Sequence, residues 1–140
     1  MNNENKTDII VYKSKDGKFE IDVNVQEDNI WLSRKQIAEL FQVEKQDIDY
    51  HISNIFKSQE LSENATAKEF LVVQKEGGRN VKRNIEHYNL DMIISVGYRV
   101  NSIIATRFRQ WATQTLKEYM LKGFVLDDER LKNGKNLGKD

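Results

Sequence analysis

The chain has 140 residues, 39% of them apolar and 31% charged, which fits one globular domain with a buried core. It has no cysteine, which excludes disulfides, thiolate metal sites and cysteine nucleophiles and suits a reducing cytoplasm. No run of about 18 apolar residues and no leader pattern is present, so a membrane partner is not expected and the expected location is cytoplasmic.

The formal net charge is zero, which counts against a protein that lives mainly on phosphate attraction. The two halves differ, however. Residues 1–60 hold 8 Lys+Arg against 12 Asp+Glu, and residues 61–140 hold 14 against 10. Any electrostatic footprint for nucleic acid is therefore expected in the second half.

Residues 1–7 are polar and predict a frayed start. A short strand over 9–12, a turn at Asp16-Gly17 and an alternating strand over 19–25 predict a hairpin. Glu27-Asp28-Asn29 makes the next turn, and Ile30-Trp31-Leu32 a third strand. This meander delivers the chain to Ser33, which has Gln36 three residues on, the spacing of a capping box.

Residues 31–56 then read as two short helices around a tight turn, the pattern of a helix-turn-helix. Ile37, Ala38, Leu40 and Phe41 share one face of the first helix, and Val43 plugs the turn. The second helix sends Ile48, Ile52, Ile55 and Phe56 inward. Lys45, Gln46, Asp49, Tyr50 and Ser53 face out, and the start of such a helix is where a DNA reader meets base edges. An ordinary helical hairpin has the same spacing, so the pattern alone does not decide.

Residues 57–63 form a polar connection. A second hairpin follows, with strands over about 70–75 and 81–88 joined through Gly77-Gly78. Lys75, Arg79, Lys82 and Arg83 face a single acid, Glu76, near its tip. A basic β-ribbon beside a reading helix is the arrangement of a wing, though lysines on a strand edge also guard against unwanted pairing. Asn89 predicts the cap of a short helix over 90–96 that Gly97 ends. Ser102 predicts the cap of the longest helix, over 103–121, with Ile104, Phe108, Trp111, Leu116 (or Thr115), Tyr119 and Met120 inward and Gly123 as its stop. Arg107 and Arg109 lie about 200° apart around that helix. A further short helix over 128–132 and a Gly/Lys/Asn-rich tail complete the chain.

Little catalytic chemistry is legible. His51 and His87 lack a third ligand at a workable spacing, and Gly77-Gly78 lacks the rest of a phosphate loop. With no cysteine and no serine–histidine motif, nucleophilic catalysis has no starting group. The expectation is no enzyme, no metal, no cofactor and no identified small-molecule substrate.

Four blocks carry a resemblance: IWLSRKQIAELFQV (30–43), HISNIF (51–56), EGGRNVKRNIEHYNLDMIISVGYRVNS (76–102) and FRQWATQTLKEYMLKGF (108–124). Together they resemble the RhuM-type virulence protein family, and the last block is also similar to the end of the phage Bro-N antirepressor domain. The resemblance implies a DNA-binding bacterial protein whose full-length members continue beyond 140 residues, so the chain reads as an N-terminal domain. It departs from the family at Gln42, where glycine is usual, and at Glu44-Lys45-Gln46-Asp47, where small hydroxylated or basic residues are usual. Gln42 must then adopt a turn conformation natural to glycine, and the acids repel phosphates.

These readings add up to an α+β domain: an N-terminal meander, a helix-turn-helix, a basic hairpin placed to act as a wing, and a long C-terminal helix. Its expected boundaries are 1–7 disordered, 8–132 one domain, 133–140 a tail. The expected function is a DNA-binding, transcription-regulator-like module on double-stranded DNA, working as a homodimer through its C-terminal helices. Lys45, Gln46, Asp49 and Tyr50 are the expected base readers. Arg34, Lys35, Lys75, Arg79, Lys82, Arg83 and Arg107 are the expected phosphate contacts. The alternatives are a protein-interaction or oligomerisation module on the same scaffold, and an accessory domain to a catalytic region beyond residue 140.

Overall fold

The computed structural model describes residues 7–133, with side chains described as far as residue 122. Three strands, β1 (Asp8–Lys13), β2 (Glu20–Gln26) and β3 (Asn29–Ser33), lead into α1 (Arg34–Phe41) and α2 (Lys45–Lys57). A short α3 (Glu63–Thr66) precedes the long hairpin β4 (Ala67–Glu76) and β5 (Arg79–Asn89), followed by α4 (Leu90–Val100) and α5 (Ser102–Asn133). The five strands form one antiparallel sheet in the order β1-β2-β3-β5-β4. The α+β architecture is therefore as the sequence predicts.

Antiparallel register sorts the side chains by face. Tyr12, Ile21, Val23, Val25, Ile30, Leu32 and Tyr88 share one face; Ile9, Asn24, Trp31, Phe70 and His87 share the other. The first face meets the helices. Ile37, Leu40, Phe41, Ile48, Ile52, Ile55, Met92, Ile93 and Val96 are buried with it, and Tyr12 meets Phe108 of α5 edge-on at 5.1 Å between ring centres. Each such aliphatic side chain gains roughly 1.5–3 kcal/mol from leaving water.

Both two-residue hairpin turns have positive φ at each central residue, as a type I′ turn requires. Gly77 and Gly78 do this without strain, at +56° and +79°; Glu27 and Asp28 do it as L side chains, at +58° and +57°. The Trp31 indole N–H donates to the Gln26 carbonyl at 2.9 Å, which holds the second turn closed.

Several local expectations are corrected. Gly97 does not end α4 but sits inside it, because a Cβ there would lie 2.4 Å from the Phe41 ring; its absence lets α1 approach. The break falls at Asn101, in extended conformation. Its Oδ1 accepts from the N–H groups of Ile103 and Ile104, at 3.1 and 3.2 Å, so Asn101 rather than Ser102 caps α5. Gly123 does not stop α5, which absorbs the separate helix expected over 128–132 and runs to Asn133; one glycine costs a helix about 1 kcal/mol, and the chain has no proline to enforce a stop. Met120, expected inward, is 52% exposed. The one-turn α3, with Ser62 accepting from the Ala65 N–H at 3.2 Å, replaces the end of the polar connection.

By contact density the chain divides into two units, Met1–Arg109 and Gln110–Asp140. The first holds the sheet, α1 to α4 and the start of α5. The described part of the second is the rest of α5. The expected tail over 133–140 and start over 1–7 fall largely outside the described residues.

Candidate nucleic-acid interface

The helix pair is set at its entrance by Ser33. Its hydroxyl accepts from the Gln36 N–H at 3.2 Å, while the Gln36 side chain accepts from the Ser33 N–H at 3.0 Å, closing the capping box. Gln36 also donates to the Asp22 carbonyl at 2.8 Å, tying α1 to β2. Gln42 ends α1 in the left-handed conformation, φ +59°, where glycine would sit without strain. Three residues later α2 begins. Lys45, Gln46 and Tyr50 are exposed on it, Tyr50 by 65%, and the acids Glu44 and Asp47 are exposed beside them.

Three of the expected contact residues are bonded together. Arg34 Nη1 donates to Asp49 Oδ1 at 2.8 Å, and Lys45 reaches the other Asp49 oxygen at 3.5 Å. The rest of the Arg34 guanidinium donates twice to the Tyr88 hydroxyl, from Nε at 2.9 Å and Nη2 at 2.7 Å. Tyr88 in turn donates to Glu86 Oε1 at 2.6 Å. One polar chain thus runs from α2 through α1 to β5. The Arg34 hydrogen bond holds the Asp49 carboxyl below its ordinary range. Burial and the Glu86 carboxylate push the Tyr88 phenol up to about 12, so it keeps its proton as donor. Tyr88 lies 54 residues beyond Arg34 and Glu86 two residues before Tyr88, and no local pattern in the sequence points to them.

The β4–β5 ribbon extends past the rest of the sheet, since β5 meets β3 only at His87, Tyr88 and Asn89. Its basic residues divide between two faces. Lys75 and Lys82 share the face of Glu86 and Tyr88, the face whose base meets Arg34; Arg79 and Arg83 share the opposite face with Glu76. Arg83 grips Glu76 with two bonds, 2.9 and 2.7 Å, which lowers the Glu76 carboxyl. Arg79, Lys75 and Lys82 are exposed and make no ion pair among the described residues. Leu71 and Val73, exposed by 64% and 60%, lie between the lysines and Glu69 on the same face.

The remaining expected contacts lie elsewhere. Lys35 lines a concavity of about 520 Å³ with Ile9, Gln36, Phe70, Val72 and His87. Burial lowers the His87 pKa, although its Nδ1 lies 2.8 Å from the Ile85 carbonyl. Arg107 lines a separate cavity of about 440 Å³ with Tyr12, Lys15, Phe19 and Leu40. Among the described residues no group of acids and histidines is placed to hold a metal ion, and no helix is long and apolar enough to cross a membrane.

Fold and surface together define an α+β domain that presents a helix-turn-helix and a projecting β-ribbon, linked at their bases by Arg34 and Tyr88. The sequence model of the virulence protein RhuM family matches residues 65–140, more than half of the chain, and the chain belongs to that family. The match takes in the ribbon, α4 and α5. No curated protein and no solved structure matches the chain.

Proposed function

We propose that this domain is a DNA-binding, regulator-like module of a RhuM-type virulence protein. It acts on double-stranded DNA in the bacterial cytoplasm as a homodimer, and it binds rather than catalyses, with no cofactor. The observation that carries this reading is the Arg34 link, which joins the base of a ribbon bearing two unpaired lysines to the start of the exposed helix α2. Lys45, Gln46 and Tyr50 then face base edges, while Lys82 and Arg79 at the outer ribbon supply phosphate contacts. Asp49 and Arg34 serve by positioning that surface, since each is already bonded to the other.

The acids Glu44 and Asp47, exposed at the start of α2, favour a second reading in which this surface receives a basic protein partner. Fluorescence polarisation with random duplex DNA at two salt concentrations separates the two. Binding that weakens with salt is expected, and Lys82→Ala and Arg79→Ala should each lower the slope of log affinity against log salt by about 1. Absence of salt-dependent binding at low ionic strength overturns the DNA reading.

A further inference from the structure

Strand β4 is an edge of the sheet, with β5 as its sole strand partner among the described residues. It pairs with β5 over ten consecutive positions with no bulge, from Ala67↔Tyr88 to Glu76↔Arg79. It also contains no proline. An edge of that length and regularity is an open template for another strand.

The two-residue turn makes Glu76 and Arg79 the closing hydrogen-bonded pair. By antiparallel alternation the N–H and C=O groups of Lys75, Val73, Leu71 and Glu69 then point away from β5. These four residues also put their side chains on one face, where Leu71 and Val73 are the exposed apolar pair.

The charges on β4 reverse sign about its middle. Lys68 and Glu69 precede Val72 by four and three residues, and Lys75 and Glu76 follow it by three and four. An antiparallel copy centred on Val72 therefore sets Glu69 against Lys75 and Leu71 against Val73; Lys68 and Glu76 also fall opposite each other, though each is held within its own chain, by Glu27 and Arg83. It does so in the register that joins the outward-pointing backbone groups of one copy to those of the other. Within a single chain the same face is polarised: Glu69 stands directly opposite Glu86, an unfavourable like-charge pair, while Lys75 lies diagonal to Lys82. Two-fold pairing brings the acidic end of each ribbon against the basic end of the other.

We infer that two copies of this chain pair through β4 in this register, joining their sheets into one across an isologous interface. The occupant of the edge is a second copy, because both backbone pattern and charge sequence are complementary to themselves. Leu71 and Val73 of each chain are covered, and Glu69 and Lys75 form two symmetry-related ion pairs. Lys75 is then held by Glu69 of the second copy, leaving Lys82 and Arg79 as the free cations of the ribbon. The inference does not depend on DNA binding, and its readout is mass alone.

Sedimentation velocity of the whole chain tests it. The wild type should show a monomer–dimer equilibrium in the micromolar range. Glu69→Lys and Lys75→Glu, both at exposed positions, should each raise the dimer dissociation constant about tenfold or more by setting like charges against each other. An equimolar mixture of the two variants should recover wild-type dimerisation, because in the mixed dimer every 69–75 pair is again of opposite sign. A wild type that stays monomeric overturns the inference. So do single variants that dimerise like wild type, which would place the interface elsewhere, as on α5, and so does a mixture that fails to recover.

Discussion

The helix-turn-helix and the β-ribbon lie side by side but are stabilised by different physics. The helix pair is fixed by what it buries: Ile37, Leu40, Ile48, Ile52 and Ile55 are each at most 1% exposed. Past Phe70 and Ile85 the ribbon has almost only its own backbone ladder, and within the single chain its side chains Leu71 and Val73 are exposed. A surface set by packing tolerates change on its exposed side but not beneath it. A surface set by a ladder tolerates side-chain change almost everywhere and is sensitive mainly to what its free edge meets. The first arrangement suits presenting a fixed pattern of side chains, the second suits joining another chain.

That contrast can be broken from the core outward. The largest effect is expected at Gly97→Val, where the new side chain meets the Phe41 ring and the Ala105 methyl, the latter at 2.8 Å from the first added carbon. It should lower stability by about 3 kcal/mol in urea titration, whereas Val73→Thr on the ribbon should leave the midpoint nearly unchanged. Next comes Arg34→Ala, which leaves Asp49 and Tyr88 without their shared donor and should cost about 2 kcal/mol by the same measurement. If it costs nothing, the ribbon and helix pair are not coupled through this residue. A smaller change of opposite sign is expected at Gln42→Gly, which relieves a left-handed backbone and should stabilise by roughly 1 kcal/mol. A fall in melting temperature would show that the Gln42 side chain, which donates to the Glu39 carbonyl at 2.6 Å, holds the turn more firmly than the strain opposes it.

The smallest effect concerns pH. Burial keeps His87 neutral in the folded chain, so its folded pKa lies below the ordinary value near 6.5. Folding stability from this group is fully present above that value and declines as pH falls through the window below it, where the unfolded chain takes up the proton first. His87→Phe should flatten that part of the stability–pH curve, and an unchanged curve would assign the acid limb to other groups.

Much of this architecture is legible in sequence where the signal is local. Ser33 and Gln36 mark the start of α1 by spacing, the alternation over 19–25 marks β2, and Gly77-Gly78 marks the ribbon turn. Gly97 and Gly123 are misleading because a glycine has the same appearance whether it ends a helix or admits a neighbour. Only the approach of Phe41, from a distant part of the chain, decides the first case. Asn101 and Ser102 are both good caps by type, and which one serves depends on where α4 breaks. For the surface, the exposed residues of α2 are readable from helical period. The bond between Arg34 and Asp49 is not, since both residue types look equally free in sequence. Nor does composition say that the four basic residues of the ribbon divide between two faces, although strand alternation contains that answer once the register is known.

The Tyr88 hydroxyl has one proton and two lone pairs, and all three are engaged: the proton goes to Glu86, and Arg34 donates twice to the oxygen. A phenol so saturated has nothing left to offer water or a ligand, and it cannot exchange one partner without stranding another. It works as a rivet. Any force applied to the outer ribbon is delivered through β5 to α1 and, by way of Asp49, to α2, so that whatever grips the ribbon also pulls on the helix beside it.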